Sequence, residues 1–157
     1  MGNICRSPTA EAVFRHYVAN RGLESEITAD SAGTHGYQFG DSPDPRAVKI
    51  AQQRGYDMGG IFCRKIERKD FTEFDFVLAM DHDNLAILNR LRPADSSAKL
   101  SLLMQYCKGS TEAEVPDPYY GTTKDFERAL DLIELGARDL LVYLDSQVIA
   151  RRATNNS

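Results

Sequence analysis

The stretch that decides the fold runs from Phe74 to Tyr106 and reads FDFVLAMDHDNLAILNRLRPADSSAKLSLLMQY. Its two ends, FDFVLAM and LSLLMQY, are short continuous apolar runs, as in strands that are buried on both faces. Between them, apolar residues recur at helical spacing after Asp81 and stop before Pro93. A buried strand, a helix and a second buried strand make a βαβ unit, so the sequence predicts a parallel sheet covered by helices.

The same alternation of elements continues on both sides of this unit. The elements predicted upstream are a helix that starts at Ser7-Pro8 and stops at Gly22, a short strand over Ile27–Ser31, and a helix from Asp44-Pro45 to Gly55. Downstream, Thr122 begins a long helix with an apolar stripe, and the polar residues 151–157 form a tail that we expect to be frayed. We therefore predict a single α/β domain over residues 1–150, with helices on both faces of its sheet.

The composition argues against several classes of function. The chain has 157 residues, of which 42% are hydrophobic and 27% charged, as in an ordinary globular domain. Its formal net charge of −4 disfavours general binding to nucleic acid or to an anionic membrane surface, because both need clustered cations. No apolar run approaches the roughly 18 residues of a membrane span, and Met1–Arg6 lacks the apolar segment of a signal peptide. We expect a cytoplasmic protein without nucleic-acid or membrane partners.

The cysteines and histidines are few and widely scattered. Cys5, Cys63 and Cys107 are odd in number and form no C-x-x-C pair, which disfavours both a disulfide scaffold and a structural zinc site. His16, His35 and His82 form no metal-ligand pattern either. We therefore expect neither a metal nor a cofactor.

A candidate anion-binding loop precedes the first helix in the segment GNICRSP, residues 2–8. Gly2 and Asn3 tolerate the positive φ of a tight loop, which runs straight into the helix. Backbone N–H groups and the positive end of the helix dipole then face one point, and Arg6 adds a planar fork that can grip two oxygens of an anion. Taken alone, these residues also fit an ordinary turn with a surface arginine.

A second loop, EVPDPYYG over residues 114–121, carries an acid between two prolines. The prolines restrict the backbone around Asp117, so its carboxylate is held in one direction, and Tyr119 and Tyr120 follow. A fixed acid beside two aromatic rings suits protonation of a leaving group next to an aromatic substrate. Taken alone, the segment also fits a proline-rich turn with a capping aspartate.

Together the two loops make the chain resemble the low-molecular-weight protein tyrosine phosphatases. The segments that carry the resemblance follow the family's order along nearly the whole chain and are GNICRSPTAEAVF (2–14), DSAGT (30–34), DPRA (44–47), FDFVLAMD (74–81) and VPDPYYG (115–121). The resemblance implies a doubly wound, flavodoxin-like fold whose four-stranded parallel sheet has the order 2-1-3-4. It also implies hydrolysis of phosphotyrosine in proteins, without a metal or cofactor.

The resemblance further implies roles for individual residues. A thiolate attacks phosphorus to form phosphocysteine, and the phosphate is bound by Arg6 within the loop Met1, Gly2, Asn3, Ile4, Cys5, Arg6 and Ser7. Asp117 is expected to protonate the leaving tyrosine oxygen and then to activate water, as general acid and base. Asn3 and Ser31 would support the loop, and Tyr119 and Tyr120 would line the substrate cleft. The implied partners are a phosphotyrosine protein and a tyrosine kinase.

One part of the family pattern is absent from the 157 residues. The family's nucleophilic cysteine is separated from the loop arginine by five residues, so it would fall directly before Met1, at the end of the family's first strand. Cys5 directly precedes Arg6 and matches the family's second cysteine instead. We therefore expect the native protein to begin upstream of Met1 with this strand and cysteine, and the chain as written to be inactive.

Three other functions stay open at this point. The chain could be a phosphate- or phosphotyrosine-binding remnant without catalysis. Arsenate reductases on the same fold use further cysteines as a relay, and the spacing of Cys63 and Cys107 is unlike that relay. Relatives that remove phosphate from arginine carry threonine where this chain has Ile4, and they lack the pair Tyr119-Tyr120. Ile4 and the tyrosine pair therefore favour phosphotyrosine as the substrate.

Overall fold

The computed structural model describes residues 2–155, with side chains from Gly2 to Ala150. The elements in this part of the chain are, in order, α1 (Arg6–Asn20), α2 (Pro45–Gln53), α3 (Asp70–Glu73), β1 (Phe76–Ala79), α4 (His82–Leu91), β2 (Lys99–Leu102), a 3₁₀ helix (Leu103–Tyr106) and α5 (Thr123–Asn155). Helices surround one parallel pair of strands, which confirms the α/β class.

The βαβ unit predicted from residues 74–106 is present. β1 and β2 pair in parallel, with Phe76 opposite Lys99, and α4 makes the crossover between them. The second apolar run is a strand only in its first half, because Leu103 and Met104 belong to the 3₁₀ helix. Both of these residues are buried, so hydrophobicity alone does not separate the strand from the turn that follows it.

Helix α1 begins two residues earlier than predicted. Its N-cap is Cys5 rather than Ser7, and no side chain caps it, so Pro8 lies inside the first turn. Proline fits there because the N–H groups of the first turn have no acceptor within the helix. The backbone of the loop, rather than a capping side chain, therefore sets the start of α1 at Arg6.

The predicted helix stops at Gly22 and Gly55 are confirmed. Gly22 has φ +63° and Gly55 has φ +85°, the left-handed conformation that ends a helix and that glycine adopts without strain. The predicted start of α2 is confirmed as well, because the Asp44 carboxylate accepts a hydrogen bond from the Arg46 N–H.

The predicted strand over Ile27–Ser31 is wrong. Residues 28–32 make no backbone–backbone hydrogen bond to any part of the chain that the structure describes. An isolated parallel bridge between Gly33 and Lys65 follows them. Strand propensity reports whether side chains fit a half-buried surface, and it does not supply the neighbouring strand that a ladder needs. The sheet therefore has two strands within the described residues, instead of the three expected from this sequence.

The core is divided into two clusters of buried side chains. The larger cluster lies between α1, α2 and α5 and includes Val13 and Leu130, and the smaller one lies against α4 and includes Phe71 and Leu88. Helix α5 begins one residue after the predicted Thr122 and reaches Asn155, so it extends into the tail that we expect to be frayed. The fraying stays a prediction, and residues 156–157 lie outside the described part. None of the described helices is long and apolar enough to cross a membrane.

Candidate active site

The loop before α1 is held in place by buried contacts of its backbone. Asn3 is buried and has φ +59°, a left-handed conformation that asparagine tolerates better than most residues. Its Nδ2 donates to the Ser31 carbonyl oxygen over 3.2 Å, and its own carbonyl accepts from the Cys63 thiol over 2.9 Å. The Ile4 carbonyl accepts from the Asp44 N–H over 2.8 Å. The structure thus brings together Asn3 and Ser31, the two residues predicted to support this loop.

The loop ends at the N-terminus of α1, where the first turn of the helix is open. The Thr9 N–H donates to the Cys5 carbonyl, and Pro8 has no N–H, so the N–H groups of Arg6 and Ser7 lie at the open first turn. Unbonded N–H groups and the positive end of the helix dipole form an anion-binding arrangement. Gly2 to Cys5 precede this open turn, and Arg6 and Ser7 form its start. Phosphate binding by the predicted loop stays a prediction, and Met1 lies outside the described residues.

Arg6 is the centre of the site and is only 5% exposed. Its Nη1 donates to Asp81 Oδ2 over 2.6 Å and to the Val115 carbonyl over 2.7 Å. Its Nη2 lies 3.4 Å from Asp117 Oδ2. The guanidinium therefore joins the first turn of α1 to the carboxyl end of β1 and to the proline-rich loop. This burial excludes the alternative of a surface arginine.

Asp117 faces the same point from the proline-rich loop. Its side chain is 37% exposed, so water and a substrate can reach it. Its Oδ1 accepts a hydrogen bond from the Tyr119 N–H over 3.1 Å, while Oδ2 faces Arg6. The carboxylate is thus oriented by a backbone donor on one side and by a cation on the other. This geometry suits an acid that delivers a proton in a fixed direction.

The two tyrosines that follow differ in their surroundings. Their rings pack edge to face with centroids 4.8 Å apart. The Arg46 guanidinium lies 5.6 Å from the centroid of the Tyr119 ring, whereas Tyr120 is 95% exposed. Tyr119 is therefore held against the protein, and Tyr120 is free to contact a bound molecule.

The cysteines near the loop are protonated thiols rather than thiolates. Burial, together with the negative charges of Asp44 and Asp117, raises the pKa of Cys5 to about 12. Burial also raises the pKa of Cys63, as does the charge of Asp41. A nucleophilic cysteine needs a lowered pKa, so neither of these two thiols has the properties of a nucleophile.

Two carboxylates of the site were not identified from the sequence. Asp81 forms an ion pair with Arg6. The sequence could have indicated this residue, because it directly follows a predicted buried strand, and ligand sites form at the carboxyl ends of the strands of a parallel sheet. Glu11 is buried in α1, and its Oε2 accepts from the Ser31 hydroxyl over 2.5 Å. Burial raises the pKa of Glu11. No local signal separates Glu11 from an ordinary helical glutamate.

No group of three His, Cys, Asp or Glu side chains in the described part of the chain could hold a metal ion. The polar groups that the structure brings together at this point are the guanidinium of Arg6 and the carboxylates of Asp81 and Asp117. The absence of a metal from the reaction stays a prediction.

Comparison with known proteins identifies the family. Residues 1–151 match the profile of the low molecular weight phosphotyrosine protein phosphatases. The low molecular weight protein-tyrosine-phosphatase YfkJ of Bacillus subtilis is 37% identical over 147 residues, covering 94% of this chain and 93% of its own length.

Solved structures show the same similarity in three dimensions. A protein tyrosine phosphatase from Entamoeba histolytica, with Hepes in its active site, has a TM-score of 0.89 and 37% identity, covering 94% of each chain. The Drosophila arginine phosphatase has a TM-score of 0.84 and 30% identity, covering 92% of this chain and 93% of its own. This chain belongs to the low-molecular-weight phosphotyrosine protein phosphatase family.

Proposed function

We propose that this protein hydrolyses phosphotyrosine in proteins through a phosphocysteine intermediate, with Arg6 binding the phosphate and Asp117 acting as general acid and base. The observation that carries the proposal is the Arg6 guanidinium, which lies at the anion-binding end of α1 and 3.4 Å from the Asp117 carboxylate. Membership of a phosphotyrosine phosphatase family supports the same reaction.

In the first step the loop amides and Arg6 hold the non-bridging oxygens, a cysteine thiolate attacks phosphorus, and the bond to the tyrosine oxygen breaks. Asp117 gives its proton to that oxygen, which is a poor leaving group because the pKa of tyrosine is about 10. In the second step the Asp117 carboxylate takes a proton from water, the water oxygen attacks phosphorus, and the phosphorus–sulfur bond breaks to release phosphate and the thiolate. Asp81 and the Val115 carbonyl keep Arg6 in position throughout.

In this proposal a cysteine outside the 157 residues supplies the thiolate, directly before Met1. Cys5 and Cys63 are unsuited because both are buried and both have raised pKa values. The chain as written is then inactive. The substrate would come from a tyrosine kinase, and three free cysteines suit a reducing compartment such as the cytoplasm.

The test compares two extended chains. One carries a short apolar segment that ends in cysteine directly before Met1, and its matched control ends in serine. We expect the cysteine form to hydrolyse a phosphotyrosine peptide and to gain one phosphoryl group during turnover, and the serine form to do neither. Asp117→Asn in the cysteine form should lower kcat by about 10²- to 10⁴-fold. It should lower kcat less for 4-nitrophenyl phosphate, whose leaving group needs less protonation.

Three outcomes would contradict the proposal. Hydrolysis by the chain as written that is lost in Cys5→Ser would make Cys5 the nucleophile. A folded cysteine form that binds phosphotyrosine without turnover would make the protein a binding module. Faster hydrolysis of a phosphoarginine peptide would give it the activity named for its Drosophila structural neighbour.

A further inference from the structure

The chain on both sides of Asp81 is bonded to the start of the proline-rich loop. On one side, the Met80 carbonyl accepts a hydrogen bond from the Val115 N–H over 2.9 Å. On the other side, the His82 N–H donates to Glu114 Oε1 over 2.7 Å. Asp81, which binds Arg6, therefore lies between two hydrogen bonds to the loop that carries Asp117.

The carboxylate of Glu114 makes two contacts with His82. Besides the backbone N–H, the ring Nδ1 of His82 contacts the same Oε1, and an ionised carboxylate only accepts, so this ring nitrogen carries a proton. His82 is also the first residue of α4, so the carboxylate lies at the positive end of the helix dipole. The backbone N–H of His82, followed by its ring, lowers the pKa of Glu114. Glu114 is therefore an ionised partner of the first turn of α4 at neutral pH.

Both residues of this pair are next in sequence to an acceptor of Arg6. His82 follows Asp81, whose Oδ2 lies 2.6 Å from Arg6 Nη1. Glu114 precedes Val115, whose carbonyl oxygen lies 2.7 Å from the same nitrogen. The contact between His82 and Glu114 therefore keeps the two acceptors of one guanidinium nitrogen side by side.

The rest of the proline-rich loop has few backbone contacts of its own. Over residues 116–121 of the described chain, one backbone–backbone hydrogen bond is formed, from the Gly121 N–H to the Pro118 carbonyl, and it stays within the loop. The direction of the Asp117 carboxylate therefore depends on how the two ends of the loop are held. Glu114 lies at the first of these ends, three residues before Asp117.

We propose that His82 and Glu114 are positioning residues for the reaction: their contact holds the start of the proline-rich loop, so that the Asp117 carboxylate points at the leaving group. Neither residue touches the reacting atoms, and both act through Asp117. The inference rests on the proposed function, in which Asp117 is the general acid. Proton transfer needs hydrogen-bond distance to the leaving oxygen, so a displaced loop lowers kcat while Arg6 and the first turn of α1 still bind the phosphate.

Glu112 supplies a matched control two residues before Glu114. It forms an ion pair with Arg128 of α5 over 2.7 Å, and its side chain is 47% exposed against 43% for Glu114. Neither member of the control pair is next in sequence to a residue that contacts Arg6. Glu112→Ala therefore removes an ion pair of similar exposure and leaves the contacts around Asp81 in place.

The activity test uses the cysteine form described above. Glu114→Ala should lower kcat for a phosphotyrosine peptide by about three- to tenfold, as expected for the loss of an exposed ion pair and of a carboxylate at a helix N-terminus. KM should change by less than about twofold, and kcat for 4-nitrophenyl phosphate should fall less. Glu114→Gln keeps an oxygen for the His82 N–H and should recover part of the loss. Glu112→Ala should leave kcat unchanged.

A double substitution separates positioning from a general loss of stability. The Asp117→Asn form has no acid to position, so adding Glu114→Ala to it should not lower kcat further. The same fold-loss in both backgrounds would show a merely structural role and overturn the proposal. An unchanged kcat in Glu114→Ala alone, or an equal loss in Glu112→Ala, would overturn it as well.

Hydrogen exchange of the chain as written distinguishes this proposal from the proposed function. The Tyr119 N–H donates to Asp117, and in Glu114→Ala it should exchange at least about threefold faster than in the parent chain. In Glu112→Ala it should exchange at the parent rate. An inactive cysteine form together with this faster exchange would contradict the proposed function alone. Unchanged exchange in Glu114→Ala would overturn positioning by the pair.

Discussion

The two sides of the loop before α1 are built in opposite ways. On the Arg6 side, one guanidinium has three acceptors from distant parts of the chain, at Asp81, Val115 and Asp117. On the other side, a cavity of about 570 Å³, which we call the slot, lies between β1 and residues 28–32. Residues 28–32 make no backbone–backbone hydrogen bond within the described chain, and β1 pairs there with β2 alone.

The difference follows from the kind of group on each side. A guanidinium has several N–H donors, which can bind acceptors on any loop that lies near it. Arg6 therefore has hydrogen-bond acceptors on two other segments of the chain. A ladder needs a second backbone in register, so on the slot side the carbonyls of Ala29 and Ser31 accept from the side chains of Arg15 and Asn3 instead. Substitutions that disturb one side and spare the other test this contrast.

The largest effect is expected from Arg6→Ala. It would leave the carboxylate of Asp81 and the carbonyl of Val115 without their donor in a largely buried place. Removing one partner of such a pair should lower the free energy of unfolding by about 3 kcal/mol. Urea unfolding measures it. Arg128→Ala is the control, because its pair with Glu112 is exposed and should contribute less than about 1 kcal/mol. Equal losses in both variants would mean that the Arg6 contacts do not hold the loops together.

A second comparison uses two alanines of α1. Ala12 is buried in the packed core away from the slot, so Ala12→Leu should lower the free energy of unfolding by about 1–3 kcal/mol through overpacking. Ala10 lines the slot, so Ala10→Leu should raise it by about 1 kcal/mol, because the added carbons enter open apolar space. Chemical denaturation measures the free energy of unfolding of both variants. A loss of the same size at Ala10 would show that the slot is closed in solution.

Two buried asparagines give a third comparison. Asn3→Ala loses the hydrogen bond to Ser31 and keeps φ +59°, so the free energy of unfolding should fall by about 2 kcal/mol. Asn84→Leu removes a buried donor that has no partner, so stability should stay unchanged or rise by up to about 1 kcal/mol. Thermal unfolding shows whether each variant is less or more stable than the parent chain. Destabilisation by Asn84→Leu would reveal a partner for its amide.

The smallest effect concerns the pH dependence of stability through Glu11. Burial raises its pKa above 4.5 in the folded state, outweighing the Ser31 hydrogen bond and the Arg15 charge, which lower it. A carboxyl with a raised folded-state pKa stabilises the fold below its unfolded pKa, and this contribution is lost as the pH rises through the folded-state pKa. Glu11→Gln should therefore flatten the fall in stability above pH 4.5. Glu24→Gln, at an exposed position, should leave the profile unchanged, and an unchanged profile in Glu11→Gln would argue against the raised pKa.

Much of the site could be predicted from local sequence. Asn3 contacts Ser31, and Asp117 lies near Arg6, as the resemblance implies, while the roles of these residues stay predictions. Asp81 and Glu11 were missed because their partners are far along the chain: Asp81 is 75 residues from Arg6, and Glu11 is 20 from Ser31. Local patterns carry no information about which distant atom a side chain will meet.

The sequence by itself determined the α/β class, the βαβ unit over 74–106, the helix stops at Gly22 and Gly55, and the family. These properties follow from periodicity, turn chemistry and motifs, all of which are local. Only the tertiary structure decided that Ile27–Ser31 forms no strand, that Cys5 is a buried protonated thiol, and that a slot separates the two parts of the core. Each of these depends on what lies next to a residue in space, because ladder pairing, desolvation and cavities are properties of neighbours and not of the residue itself.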